Sequence, residues 1–93
     1  MTYIVNAFVY EGISSNSTLV AGTHYNCTGT ITLTLPTSGV SSGAEIRIKN
    51  MGTGDITVDP QTSTIDGSTA DYVLDVQYSA ITLVSTGTNW EII

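Results

Sequence analysis

Apolar and polar residues alternate with a period of two along much of this chain, and no stretch keeps a helical period. In TGTITLTLP, Ile31, Leu33 and Leu35 fall on one side and Thr30, Thr32 and Thr34 on the other, until Pro36 ends the run. That is the pattern of a half-buried strand. In AEIRIKN, Ile46 and Ile48 alternate with Glu45, Arg47 and Lys49. The turn-forming MGTGD follows, and Ile56 and Val58 open a return strand. The spacing predicts a hairpin with Arg47 and Lys49 on its outer face. Asp59-Pro60 stops the second strand, since proline cannot donate to a ladder.

Further on, QTSTIDGST reads as a loop, with Ile65 dipping into the core and a turn at Asp66-Gly67. Tyr72, Leu74 and Val76 predict another strand, and Ile81 and Leu83 share a face of the next. Thr86-Gly87-Thr88-Asn89 turns the chain into a last strand carrying Trp90 and Ile92, so that ITLVSTGTNWEII forms a closing hairpin. Upstream, Tyr25 and Cys27 alternate toward the core. Strand signals recur about every 8–12 residues, as in all-β sandwiches and barrels. The expected fold class is all-β: a small antiparallel sandwich or barrel of about seven or eight short strands. Its core would hold Ile31, Leu33, Leu35, Ile46, Ile48, Leu74, Ile81, Leu83, Trp90 and Ile92.

The front of the chain breaks the pattern. In TYIVNAFVY, Tyr3, Val5, Ala7 and Val9 lie on one side and Ile4, Phe8 and Tyr10 on the other, so both sides are largely apolar. Such a strand is covered on both faces or docks onto a partner. EGISSNST reads as a flexible connection. The chain is therefore expected to divide into an N-terminal docking arm, residues 1–12, and a compact body, residues 18–93.

Composition narrows the function. Ninety-three residues make one domain, and a chain of this size buries only ~60–65% of its unfolded surface, so a monomer is marginally stable. Cys27 is the sole cysteine and His24 the sole histidine, which leaves oligomerisation as the common remedy. Eight carboxylates against Arg47 and Lys49 give a net charge of −6. Nucleic acid is an unfavourable partner for such a chain, because phosphate binding draws on Lys and Arg. The basic faces that hold proteins on anionic membranes are absent too. MTYIVNAFVY has no basic n-region and is interrupted by Asn6, so no secretion signal or membrane span is expected. Asn16-Ser17-Thr18 and Asn26-Cys27-Thr28 fit the glycosylation triplet, which is frequent by chance in Ser/Thr-rich chains.

Candidate chemistry is sparse. His24 has no partner in sequence that would orient it as a base, and reads as an exposed or edge-strand residue. Cys27 reads as a small buried hydrophobe. Asp55, Asp59, Asp66, Asp71 and Asp75 match no calcium-loop spacing, and GTGD at 52–55 lacks the lysine and the strand–loop–helix setting of a phosphate loop. Neither catalytic residues nor a cofactor or metal is expected. The aromatics argue for binding instead. Tyr3, Phe8 and Tyr10 cluster in the arm, and Tyr72 and Tyr78 sit near one another, against a packing role for Tyr72 and Trp90.

The motifs TITLTLP, AEIRIKNMGTGDITV, STIDGS and ITLVSTGTNWEII, in that order from about residue 24, resemble a small β-domain of tailed-bacteriophage virion proteins: tail fibres, tailspikes, and head-fibre or capsid decoration proteins. The resemblance covers about three quarters of the chain and excludes its first twenty residues. It implies a non-enzymatic structural domain that assembles as a homotrimer, located on the virion and made in the host cytoplasm. With numbering from Met1 and no shaft ahead of the domain, the expectation is a capsid decoration (cement) protein that binds the major capsid protein on the outer head surface and stabilises the head. Tyr3, Ile4, Phe8 and Tyr10 of the arm are the expected contact residues. The alternative is a tail-fibre or spike adhesion module that binds a host-surface glycan or protein, with Tyr72, Tyr78 and the loop around Asp66 as its candidates.

Overall fold

A computed structural model describes residues 8–93. Among these residues nine strands form two mixed sheets packed as a sandwich. They are β1 (Val9–Ile13), β2 (Ser17–Thr18), β3 (Thr23–Cys27), β4 (Ile31–Thr34), β5 (Glu45–Asn50), β6 (Ile56–Asp59), β7 (Tyr72–Leu74), β8 (Ala80–Ser85) and β9 (Trp90–Ile92). One sheet has the order β1-β3-β5-β8-β9 and the other β2-β4-β6-β7.

The connectivity is that of a coil. Strands β1 to β6 alternate between the two sheets, and each pairs in parallel with the strand one coil later: β1 with β3, β3 with β5, β2 with β4 and β4 with β6. The chain then reverses. β7 closes one sheet antiparallel to β6; in the other, β8 lies antiparallel to β5 and β9 antiparallel to β8. The expected antiparallel sandwich is thus a mixed one, and among the described residues the sheets do not close into a barrel.

The predicted hairpin across residues 51–55 is corrected in the same way. β5 and β6 lie in different sheets, and the glycine turn carries the chain across the core. Alternation marks a strand with one buried face but does not say which strand lies beside it. The stretch read as a flexible connection carries the end of β1 and all of β2. The strand expected through Val76 ends at Leu74; Tyr72 and Val76 are exposed, and Tyr72 does not pack in the core.

Inside the coil, inward positions stack in rows across the strands. Thr23, Ile46 and Leu83 share one row and Tyr25, Ile48 and Ile81 the next; Cys27 and Asn50 lie in a third. From the other sheet Ile31, Leu33, Leu35, Ile56, Val58 and Leu74 complete the core, with Leu19, Ile65 and Trp90. Of the ten expected core residues, Ile81 and Ile92 are only partly buried against this cluster and the other eight are buried. The closing hairpin forms as expected, Leu83 opposite Ile92 and Ser85 opposite Trp90.

Polar hydrogen bonds lock the loops that alternation leaves open. Asp66 and Gly67 both adopt positive φ, +49° and +80°, the geometry of a tight two-residue turn that joins Ile65 to Ser68. Asp66 Oδ1 accepts from the Ile92 amide, Asn89 Oδ1 accepts from the Thr64 amide, and the Trp90 amide donates to the Thr64 carbonyl. The loop is thereby bound to the last strand.

Asn50, at the end of β5, is fully buried. Its side-chain amide donates to the carbonyls of Gly54 at 2.8 Å and Leu74 at 3.0 Å, and its oxygen accepts from the Gly52 amide. Replacing Asn50 with alanine strands these three backbone groups, each costing about 1–3 kcal/mol where water cannot reach it. We expect N50A to lose about 2–4 kcal/mol of unfolding free energy by urea titration, and N50D, which has no donors for the two carbonyls, to lose at least as much. A midpoint unchanged in both variants would show that the hub contributes nothing.

Candidate functional site

The described part of the arm is an edge strand. β1 pairs with β3 on one side, Val9 opposite Thr23 through Ile13 opposite Cys27, and has no strand on its other side among the described residues. Residues Tyr3 and Ile4, half of the expected contact set, lie outside the described residues. Phe8 and Tyr10 lie on the outer side of the larger sheet. The Arg47 guanidinium carbon sits 4.0 Å from the Phe8 ring centroid, a cation–π contact that joins the arm to β5.

Tyr10 is 68% exposed yet held in place. Its ring stacks on His24 with centroids 5.4 Å apart and planes within 6°. Asn26 completes the cluster: its amide donates to the Tyr10 hydroxyl, and its oxygen lies 3.0 Å from His24 Nε2. The imidazole and the Asn26 side chain are thus in hydrogen-bond contact, with the role of Nε2 following from the tautomer of the ring. β3 is an interior strand, so His24 is neither fully exposed nor at an edge. On the adjacent strand β5, Arg47 pairs with Glu45 at 3.4 Å on the open surface, where such pairs are worth little.

The second aromatic candidate, Tyr72 with Tyr78, is exposed, Tyr78 at 60%. Tyr78 holds φ at +68°, an uncommon conformation for a bulky residue. Its amide donates to the Asn50 carbonyl at 2.6 Å, and Ser79 ties back to the Val76 carbonyl through both its amide and its hydroxyl. The tight loop thus turns Val76 and Tyr78 out to solvent. This positive φ has no signal in the sequence, because asparagine or glycine is the usual occupant of such a position.

Among the described residues no three His, Cys, Asp or Glu side chains converge on a metal-sized site, and no buried side-chain polar atom lacks a partner. The Asp66 carboxylate is taken up by the Ile92 amide and the Asp59 carboxylate by the Gln61 amide, which makes both structural. Cys27 is fully buried, and desolvation raises its thiol from 9.0 to about 11. No protein-family model matches the chain, and no curated protein matches it.

The cysteine gives a pH dependence of definite sign. Its folded pKa lies above its unfolded value, so its contribution is fully present below pH 9 and lost as pH rises toward about 11. Urea-unfolding free energies measured across that window should fall more steeply for the natural chain than for C27A. Equal slopes would mean that the thiol ionises as readily folded as unfolded. In the native state at neutral pH the thiol should also resist alkylation until the fold opens.

Proposed function

We propose that this chain is a non-enzymatic structural protein of a tailed-phage virion, a capsid decoration protein that docks on the outer head surface through its N-terminal arm and stabilises the head. The observation that carries this reading is the state of β1. Among the described residues the arm enters the body as an edge strand whose Val9 and Tyr10 are more than half exposed, so apolar surface and backbone groups without a ladder partner meet on one segment. Tyr10 is ordered before any partner arrives, which lowers the entropy lost on docking. The motif resemblance of the body supplies the virion setting and the expectation of a homotrimer. Three arms on one particle would bridge neighbouring major capsid protein subunits, each raising the effective concentration of the others.

A second reading, adhesion to a host-surface glycan or protein, is favoured by one feature: the outward display of Tyr72, Val76 and Tyr78 around a strained tight loop. Saturable binding to host cells with none to heads would replace the first reading by this one.

The test uses undecorated phage heads. The natural chain should be trimeric by light scattering and should add to heads to saturation. A variant lacking residues 1–7 and carrying Y10A should keep its strand signature by circular dichroism while head occupancy falls at least about tenfold, the loss of one anchoring contact of roughly 1.4 kcal/mol. Full occupancy by that folded variant would sink the arm as the docking element.

A further inference from the structure

β1 differs from the strands stacked behind it in what its inward positions do. Val9, Glu11 and Ile13 are in register with Thr23, Tyr25 and Cys27 of β3, so the three side chains leave the strand toward the core side of the sheet. Thr23, Tyr25 and Cys27 are all buried. Val9, one strand over in the same row, is 61% exposed, Glu11 is exposed, and Ile13 is partly buried against the core. β1 is the end strand of the larger sheet, and the smaller sheet begins with β2, a strand of two residues. The far end of the coil is closed by β7 and by β8 with β9. Among the described residues, the β1 end is left open.

Two features of this end select what fits it. Its row of inward positions reads apolar, acidic, apolar. No cation lies within ion-pair distance of Glu11 among the described residues, where the one ion pair joins Arg47 to Glu45. An inward-pointing charge on an edge strand is a known guard against indiscriminate strand pairing. Here it also disfavours a second copy: a two-fold pairing centred on β1 sets Glu11 against Glu11, and like charges directly opposite one another destabilise a ladder. A strand with a lysine or arginine at that position meets the opposite condition.

We propose that the free edge of β1 takes an added strand from a partner of stated chemistry, an extended segment reading apolar–x–Lys/Arg–x–apolar, with its basic residue opposite Glu11 and its apolar residues beside Val9 and Ile13. Backbone hydrogen bonds to β1 supply the sequence-independent part of the affinity, and Glu11 supplies the selection. This rests on the docking reading given above and specifies the segment that the arm would meet.

The test uses the full chain and nine-residue peptides with the centre Val-Thr-Lys-Thr-Val or Val-Thr-Glu-Thr-Val, followed by amide chemical shifts at up to millimolar peptide. The lysine peptide should shift the amides of residues 9–13 and bind at least about tenfold more tightly than the glutamate peptide at low salt, since a cross-strand charge of the wrong sign repels instead of attracting. In E11K the preference should invert, which separates selection from any loss of fold. Equal binding of the two peptides, shifts confined to the β7 edge, no binding of either, or a preference unchanged in E11K would each overturn the proposal. Head occupancy measured on E11K keeps the two readings apart: occupancy retained while peptide preference inverts leaves the docking reading standing without this partner.

Discussion

The fold depends on how one buried amide joins the two sheets. Asn50 ends β5 with its side chain turned inward, in the row that also holds Cys27. Its amide group holds the glycine turn that leaves the larger sheet and the end of β7 in the smaller one. Its backbone serves the return crossing, with the amide donating to the Ser79 carbonyl and the carbonyl accepting from the Tyr78 amide. One residue therefore satisfies backbone groups on both crossings at this end. A leucine of similar volume would fill the space and strand those groups, whereas an asparagine makes a polar corner possible inside an apolar core.

Gly54 shows how tight that corner is. A Cβ there would lie 2.5 Å from the Gly29 carbonyl oxygen and 2.6 Å from Thr30 Oγ1, although its φ is ordinary. The constraint is close approach of two coils and not backbone handedness. The Asn-x-Gly-x-Gly run of residues 50–54 is thus a single device: the amide binds the turn while the glycine lets the previous coil pass beneath it. The coil also accounts for the parallel ladders. Because the chain crosses to the opposite sheet after each of the first five strands, successive strands in either sheet run in the same direction.

Much of this was legible in the sequence and some was not, for reasons that differ by residue. The buried positions Ile31, Leu33 and Leu35 follow from period-two alternation alone, because a strand with one face in a core has little freedom in which side chains it buries. The partner of each strand does not follow. MGTGD would suit a hairpin, and only the burial of Asn50 and the contact at Gly54 reveal a crossing. The turn at Asp66-Gly67 was readable because that dipeptide tolerates two positive φ values; the same backbone state at Gln61 and Tyr78 was not, since neither residue advertises it. In the arm, the two-sided apolar pattern reaches β1 only at Val9 and Tyr10, and the inward placing of Glu11 follows from its register with Tyr25 and not from the sequence.

The motifs that looked like separate words in the sequence are joined in space. Asp66 of the Ile-Asp-Gly loop binds the amide of Ile92, and Asn89 of the Gly-Thr-Asn-Trp run binds the amide of Thr64, so each motif caps the backbone of the other. Leu35, before the first proline, donates its amide to the Asp59 carbonyl and accepts at its own carbonyl from the Gln61 side chain, joining the end of β4 to the end of β6. Polar residues at these points replace ladder bonds that short strands cannot provide. In a chain with so few charged side chains, directional amide and carboxylate contacts fix the loops, and apolar rows fill the coil between them. The first coil is the exception, with Val9 and Glu11 in the inward register of β1 and yet exposed.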